Sequence, residues 1–233
     1  MTTSSSLLRA CAALCLVTAA FGAQAASYNT NLVVNGGAEQ GFAGWTAYDG
    51  YAAFSSVDYG SNWVLPTQPG PVDRGGKLFV GGSGVATALG FQVLDLSANA
   101  SAIATGKVSY DLSGYLGGWS SQDDNAVFFV NFMDASSNSL GTAQLGPVTP
   151  GDRNNTTGLL FREATGLLPA GTTQVRFDLV MTRLNSNDND GYADNLSFAI
   201  AAAPVPEPET LALMAAGLGL VGFAARRRQP KNG

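Results

Sequence analysis

Four aromatic residues, Tyr51, Trp63, Tyr115 and Trp119, stand in or beside glycine-rich stretches, among them Tyr59-Gly-Ser-Asn-Trp63 and Gly114-Tyr-Leu-Gly-Gly-Trp119. Aromatic faces held on loops can stack against pyranose rings, while neighbouring Asn, Asp and Gln side chains supply the donors and acceptors that read hydroxyls. The same residues can instead cap the ends of a core, and Trp45 is read as core outright. Catalysis has less material. The chain contains no histidine, which excludes histidine-based triads and histidine metal sites. A glycosidase needs two carboxylates across a cleft. Asp123 and Asp124 are adjacent, but neighbours on a strand point to opposite faces, so a non-catalytic role is expected. The run Asn185-Ser-Asn-Asp-Asn-Asp-Gly191 approaches a calcium loop. Aligning Gly191 with the loop's invariant glycine, however, puts Ser186 first and Ser197 where a bidentate Glu is required, so the run reads as a turn before the final strand. Asp194 shares parity with Leu196, Phe198 and Ile200, which predicts its carboxylate at the rim of the inward face. A carboxylate there needs a cation or several hydrogen bonds.

The elements that must position these groups read as strands. Val175, Phe177, Leu179 and Met181 alternate with Arg176, Asp178 and Thr182, the period of a half-buried strand, with Val180 also outward. Val108, Tyr110 and Leu112 alternate in the same way, and Leu196, Phe198 and Ile200 form the last strand. Val127 to Met133 is nearly all apolar and reads as a central strand of a packed sheet. No stretch of the middle sustains a helical period, and turn-rich connections between short strands argue an antiparallel sandwich. Residues 26–203 are long enough to bury a core without disulfides. They hold seven basic and fifteen acidic residues, a balance of −8. Such a domain lacks the basic footprint that nucleic acid requires, which leaves divalent cations and neutral sugars as partners.

Both ends of the chain carry addresses. Arg9, the apolar run Ala10 to Phe21 and Ala23-Gln24-Ala25 form a secretory signal with cleavage expected after Ala25. Cys11 and Cys15 both lie inside it, so the mature protein has neither disulfide nor thiol nucleophile. At the other end, Pro206 and Pro208 hold the chain extended before a helix that can start near Glu209. Leu211 to Ala225 is uncharged over fifteen residues, short of the about 20 that a spanning helix wants, and needs its flanks to cross. The arginines after it would stay cytoplasmic. The expected organisation is therefore a signal peptide at 1–25, a β-sandwich at 26–200, a linker at 201–209, a transmembrane sorting helix at 210–225 and a basic cytoplasmic tail at 226–233.

Val205, Pro206, Glu207 and Pro208, the short Gly/Ala/Leu helix behind them, and Arg226, Arg227 and Arg228 together resemble the PEP-CTERM sorting signal of Gram-negative bacteria. The resemblance implies recognition by a membrane-embedded exosortase, transient insertion in the inner membrane and cleavage near Pro-Glu-Pro. It also implies delivery to the cell surface or extracellular matrix, commonly in organisms that make exopolysaccharide. An ordinary tail anchor would share the topology. A second likeness lies in Asn31-Leu-Val-Val-Asn-Gly-Gly-Ala-Glu-Gln-Gly41, read as the first strand, with Gly44 and Trp45 following. This is similar to the opening of galactose-binding-like jelly rolls, including carbohydrate-binding modules of secreted glycoside hydrolases. Tyr192-Ala-Asp-Asn-Leu196 resembles their last strand. The resemblance implies a jelly roll that binds carbohydrate and a structural Ca²⁺ held by Glu39 and Asp194 with carbonyl oxygens from around Asn35 and Gly37. Hard oxygen ligands suit calcium. A purely structural or protein-binding matrix component is the alternative reading.

Overall fold

The computed structural model describes residues 25–202 and Leu218, so the sorting helix apart from Leu218, the basic tail and all but the last residue of the signal peptide lie outside the described residues. Among the described residues no helix is long and apolar enough to cross a membrane. Strands pair antiparallel into two five-stranded sheets. One sheet contains β1 (Thr46–Ala47), β4 (Thr87–Asp95), β9 (Gln174–Thr182), β6 (Asn125–Met133) and β7 (Ser139–Leu145), in that spatial order. The other contains β2 (Ser55–Asp58), β3 (Lys77–Ser83), β10 (Asp188–Ala202), β5 (Val108–Gly118) and β8 (Gly158–Leu167), again in that order. A four-residue helix, α1 (Ala100–Ile103), crosses between β4 and β5. This is an antiparallel jelly-roll β-sandwich. β10 runs two residues past position 200, where the linker was expected to begin.

The period-2 patterns build the core as expected. Val175, Phe177, Leu179 and Met181 of β9 and Ala126, Phe128, Val130 and Phe132 of β6 are buried against Leu196, Phe198 and Ile200 of β10. β6 lies between β9 and β7, consistent with its apolar run. Trp45 is core, with its ring edge-on to Phe54, Phe79 and Phe128 at centroid distances of 5.2, 5.9 and 6.4 Å. Each such side chain contributes about 1.5–3 kcal/mol by leaving water.

A smaller second cluster covers the other side of the β2-β3-β10-β5-β8 sheet. Leu78 and Val80 alternate with Phe79, so β3 is apolar on both faces. The loop 59–76 lies over this outer face and buries Val64 against Leu78, Val80, Leu159 and Tyr192. Tyr59, Trp63, Tyr115 and Trp119 pack around its margin, half-buried.

Two expectations are corrected here. Residues 31–41, read as a first strand, are a succession of turns. Asn35 and Ala38 adopt left-handed backbone, with φ of 51° and 61°, which breaks any extended run. The segment still meets the last strand, because Asn29 and Leu32 donate their amides to Ile200 and Phe198, and Leu196 donates to Gly36. The Asn31 side chain completes the ladder, its Oδ1 accepting from the Phe198 amide at 3.1 Å and its Nδ2 donating to the Leu196 carbonyl at 3.0 Å. Second, the glycine-rich stretch around Tyr115 is not a loop. β5 continues through Gly118, and Tyr115 pairs with Asp194 on one side and Phe161 on the other.

Candidate functional site

Asp194 sits in β10 opposite Tyr115, but on the face away from Leu196. The register slips between Asp194 and Ser197, where Asn195 has a φ of 47°, and this bulge inserts one residue and reverses the parity. The expected inward rim is therefore corrected: Asp194 is fully buried under the 59–76 loop. Its Oδ2 accepts from the Tyr59 hydroxyl at 2.7 Å and its Oδ1 from the Asn195 amide at 2.7 Å. Burial pushes its carboxyl up to about 7, the nearby Glu39 charge adds to the rise, and the Tyr59 and Asn195 bonds and Arg74 oppose it. The Tyr59 phenol is pushed up as well, by its own burial and by Asp194.

The segment 35–41 folds against this carboxylate. Asn35 Oδ1 accepts from the Gln40 amide at 3.0 Å, while its Nδ2 donates to the carbonyls of Gly41 and Ala43 at 2.9 and 3.0 Å. Gly36 is packed so tightly on β10 that a Cβ there would stand 2.1 Å from the Leu196 carbonyl oxygen. A Cβ on Gly37 would stand 3.9 Å from the Asp194 Oδ1, so of the residues expected around a cation Gly37 lies beside Asp194, and Glu39 is close enough for its charge to act on that carboxyl. Glu39 Oε1 takes the amides of Gly76 and Lys77 at 2.8 and 3.0 Å and pins the end of the 59–76 loop. Asp73, which no sequence signal marked, joins through Asn195 Nδ2 at 3.1 Å.

The four aromatic residues do not form one platform. Trp63 and Trp119 line a single cleft of about 250 Å³, together with Asn62, Ser83 and Gln122 and with Asp188 and Asp190 of β10. Trp63 stands perpendicular to Tyr192, 6.2 Å between centroids, at the margin of the outer cluster. Tyr115 packs against that same cluster but does not line the cleft. Tyr51 is absent from the cleft and lies between β1 and β2, its ring 6.5 Å from Tyr48. There the guanidinium of Arg176 lies 4.9 Å from the Tyr48 ring and 4.2 Å from the Phe91 ring and pairs with Asp178. Sequence reasoning missed this array because Tyr48, Phe91 and Arg176 are distant in the chain. The alternation of β9 with Arg176 and Asp178 outward was the one available signal.

The acidic run before Gly191 was read as a turn, yet β10 starts at Asp188 within it. Asp190 is buried and accepts from the Tyr192 hydroxyl at 2.6 Å. Its carboxyl is raised by desolvation, with the charges of Asp124 and Asp188 adding to the rise. Asp124 itself is fully buried and takes the amides of Leu184, Asn185 and Asp190 at 2.6, 2.7 and 3.1 Å, so it staples the 184–190 turn to β6. Its neighbour Asp123 is exposed, so the adjacent pair does not share a cleft.

Residues 204–228 match the model described as the PEP-CTERM protein-sorting motif. The chain carries a PEP-CTERM sorting motif. Such a motif implies exosortase-mediated sorting and an exported, cell-surface-directed protein. Among solved structures, the chain is similar to a Family 16 carbohydrate-binding module, 22% identical over 72% of this chain and 99% of that one, with a TM-score of 0.49. It is also similar to a Stig cyclase from Fischerella sp. TAU, 15% identical over 76% and 100% of the two chains, TM-score 0.48. The CBM22-1 xylan-binding domain from Paenibacillus barcinonensis is 13% identical over 69% and 88%, TM-score 0.38. No curated protein matches the sequence. At these identities and TM-scores the likeness assigns no activity.

Proposed function

We propose that the jelly-roll domain of this PEP-CTERM protein is a non-catalytic carbohydrate-binding module, stabilised by calcium, that serves at the cell surface or in the extracellular matrix. The observation that carries the reading is the convergence of Trp63 and Trp119 on one cleft with Asn62, Ser83 and Gln122. An aromatic wall beside short polar side chains is what a sugar ring with equatorial hydroxyls requires. The cell's own exopolysaccharide is the natural ligand for a protein sent to that location. Its route there would pass through transient insertion in the inner membrane and recognition by an exosortase.

Calcium enters on the chemistry of the donor set. Asp194 is a desolvated carboxylate and Glu39 a second one close enough to raise its pKa, an arrangement that a divalent cation relieves. Glu39 and Asp194 would hold the ion, with the carbonyls of Asn35 and Gly37; bound there, it would tie the 35–41 segment to β10. It would supply charge and rigidity, not chemistry.

Retention of the protein on immobilised polysaccharides, including the producing organism's exopolysaccharide, tests the reading with calcium and then with EDTA. Saturable retention that is lost in Trp63→Ala or Trp119→Ala supports it. Absence of retention on every polymer favours a structural or protein-binding matrix component, to which the half-burial of both tryptophans also points. A hydrolase reading draws on a different observation, since Asp188 and Asp190 share the tryptophan cleft. Release of reducing ends from a retained polymer, abolished in Asp188→Asn, would replace binding by catalysis.

A further inference from the structure

The tryptophan cleft holds more negative charge than a neutral sugar needs. Asp188 and Asp190 both line it, and no lysine or arginine does. Among the described residues neither carboxylate is in an ion pair. Arg153 is buried and close enough to Asp190 to feel its charge. Its Nη1 donates to the carbonyls of Ser120 and Thr156 and its Nη2 to that of Gln122 at 3.1 Å, its Nε has no partner among the described residues, and it forms no ion pair with either carboxylate. Gln122 adds a separate signal. Its side-chain carbonyl oxygen is buried at the cleft and accepts no hydrogen bond among the described residues. A buried acceptor left without a donor is costly and calls for a ligand that brings one.

An ammonium group answers all of these features. It carries three donors and no acceptor, it pairs with carboxylates, and it is drawn to the faces of tryptophan, the best of the aromatic rings for a cation. We infer that the cleft formed by Trp63, Trp119, Asp188 and Asp190 selects a sugar bearing a free amine, such as a glucosamine unit in a partly de-N-acetylated polysaccharide. This rests on the carbohydrate-binding reading and narrows its ligand class. The ring stacks on a tryptophan, and the ammonium lies between the carboxylates and the Gln122 oxygen. An N-acetyl group carries no charge to meet Asp188 and Asp190 and brings a carbonyl oxygen to an already acceptor-rich wall.

The test is calorimetric titration of the full chain, held in mild detergent, with glucosamine oligomers, the matching N-acetylglucosamine oligomers and glucose oligomers of equal length. Mildly acidic buffer keeps the sugar amine protonated. Glucosamine oligomers are expected to bind at least about tenfold more tightly than either counterpart, with the advantage shrinking as salt is raised. Asp188→Asn, at a half-buried position whose side chain makes no hydrogen bond among the described residues, should erase the preference and leave the melting temperature unchanged. Asp190→Asn is the less clean variant because Tyr192 depends on that carboxylate. Equal affinity for the three oligomers would overturn the amine assignment and leave the carbohydrate reading standing. Failure of all three to bind would count against both. Glucosamine binding that survives Trp63→Ala and Trp119→Ala would overturn the placement.

Discussion

Replacing Asp194 by asparagine should remove one part of the domain's response to pH, and the direction follows from where the carboxylate lies. In the folded chain its pKa is about 7, against an ordinary value of 3.8, and the largest cause is burial. Between those two values the native state keeps a proton that the unfolded state has released, so each rise in pH favours unfolding. The group's contribution is thus fully present below about 4 and lost as pH climbs through about 7. A shift of roughly three units corresponds to about 4 kcal/mol, an upper bound because water reaching the site during fluctuations relaxes the penalty. Asparagine fits the same space, offers an oxygen to the Asn195 amide and an amino group to the Tyr59 hydroxyl, and does not titrate. Urea unfolding of wild type and Asp194→Asn in EDTA, at intervals from about pH 4 to about pH 8, isolates the effect from every other carboxylate. The variant should gain on the wild type by up to about 4 kcal/mol across that range. A difference that stays constant with pH, or that moves in favour of the wild type, would refute the placement of a desolvated carboxylate at this position.

Three further outcomes follow. Calcium added at about pH 8 should raise the melting temperature of the wild type, by mass action on the native state, and leave Asp194→Asn unmoved. Equal melts with calcium and with EDTA would remove the ion from Glu39 and Asp194. Trp45→Ala should cost about 3–5 kcal/mol in chemical denaturation, because its ring fills the space between Phe54, Phe79 and Phe128; a loss under about 1 kcal/mol would contradict that packing. Gly117→Ala should severely lower the melting temperature, since its Cβ would stand 1.9 Å from the Gly158 carbonyl oxygen on β8. A variant that melts like the wild type would show that β5 and β8 do not approach so closely there.

The sorting motif was fully legible in the chain. Val205-Pro-Glu-Pro, an uncharged stretch and three arginines act in sequence order, so no folding is needed to bring them together. The β-sandwich was legible almost as well, because a strand with one buried face must alternate: β9 and the end of β10 follow directly from their patterns. β3 and β8 were not singled out: β3 is apolar on both faces, and the outward side of β8 carries Phe161 and Leu167, so neither shows a clean period. The site divided along the same line. Residue types nominated Trp63 and Trp119 as a sugar wall and Asp194 as a carboxylate in need of a partner. Which groups share a space was decided by long-range packing. The bulge at Asn195 turned Asp194 to the other face. The 59–76 loop laid Tyr59 over it, and β10 carried Asp188 and Asp190 to the tryptophans. Periodicity encodes which face a residue takes within its own strand, whereas a bulge, a covering loop or a cleft between distant segments depends on atoms far apart in the chain, and only the tertiary structure supplies those.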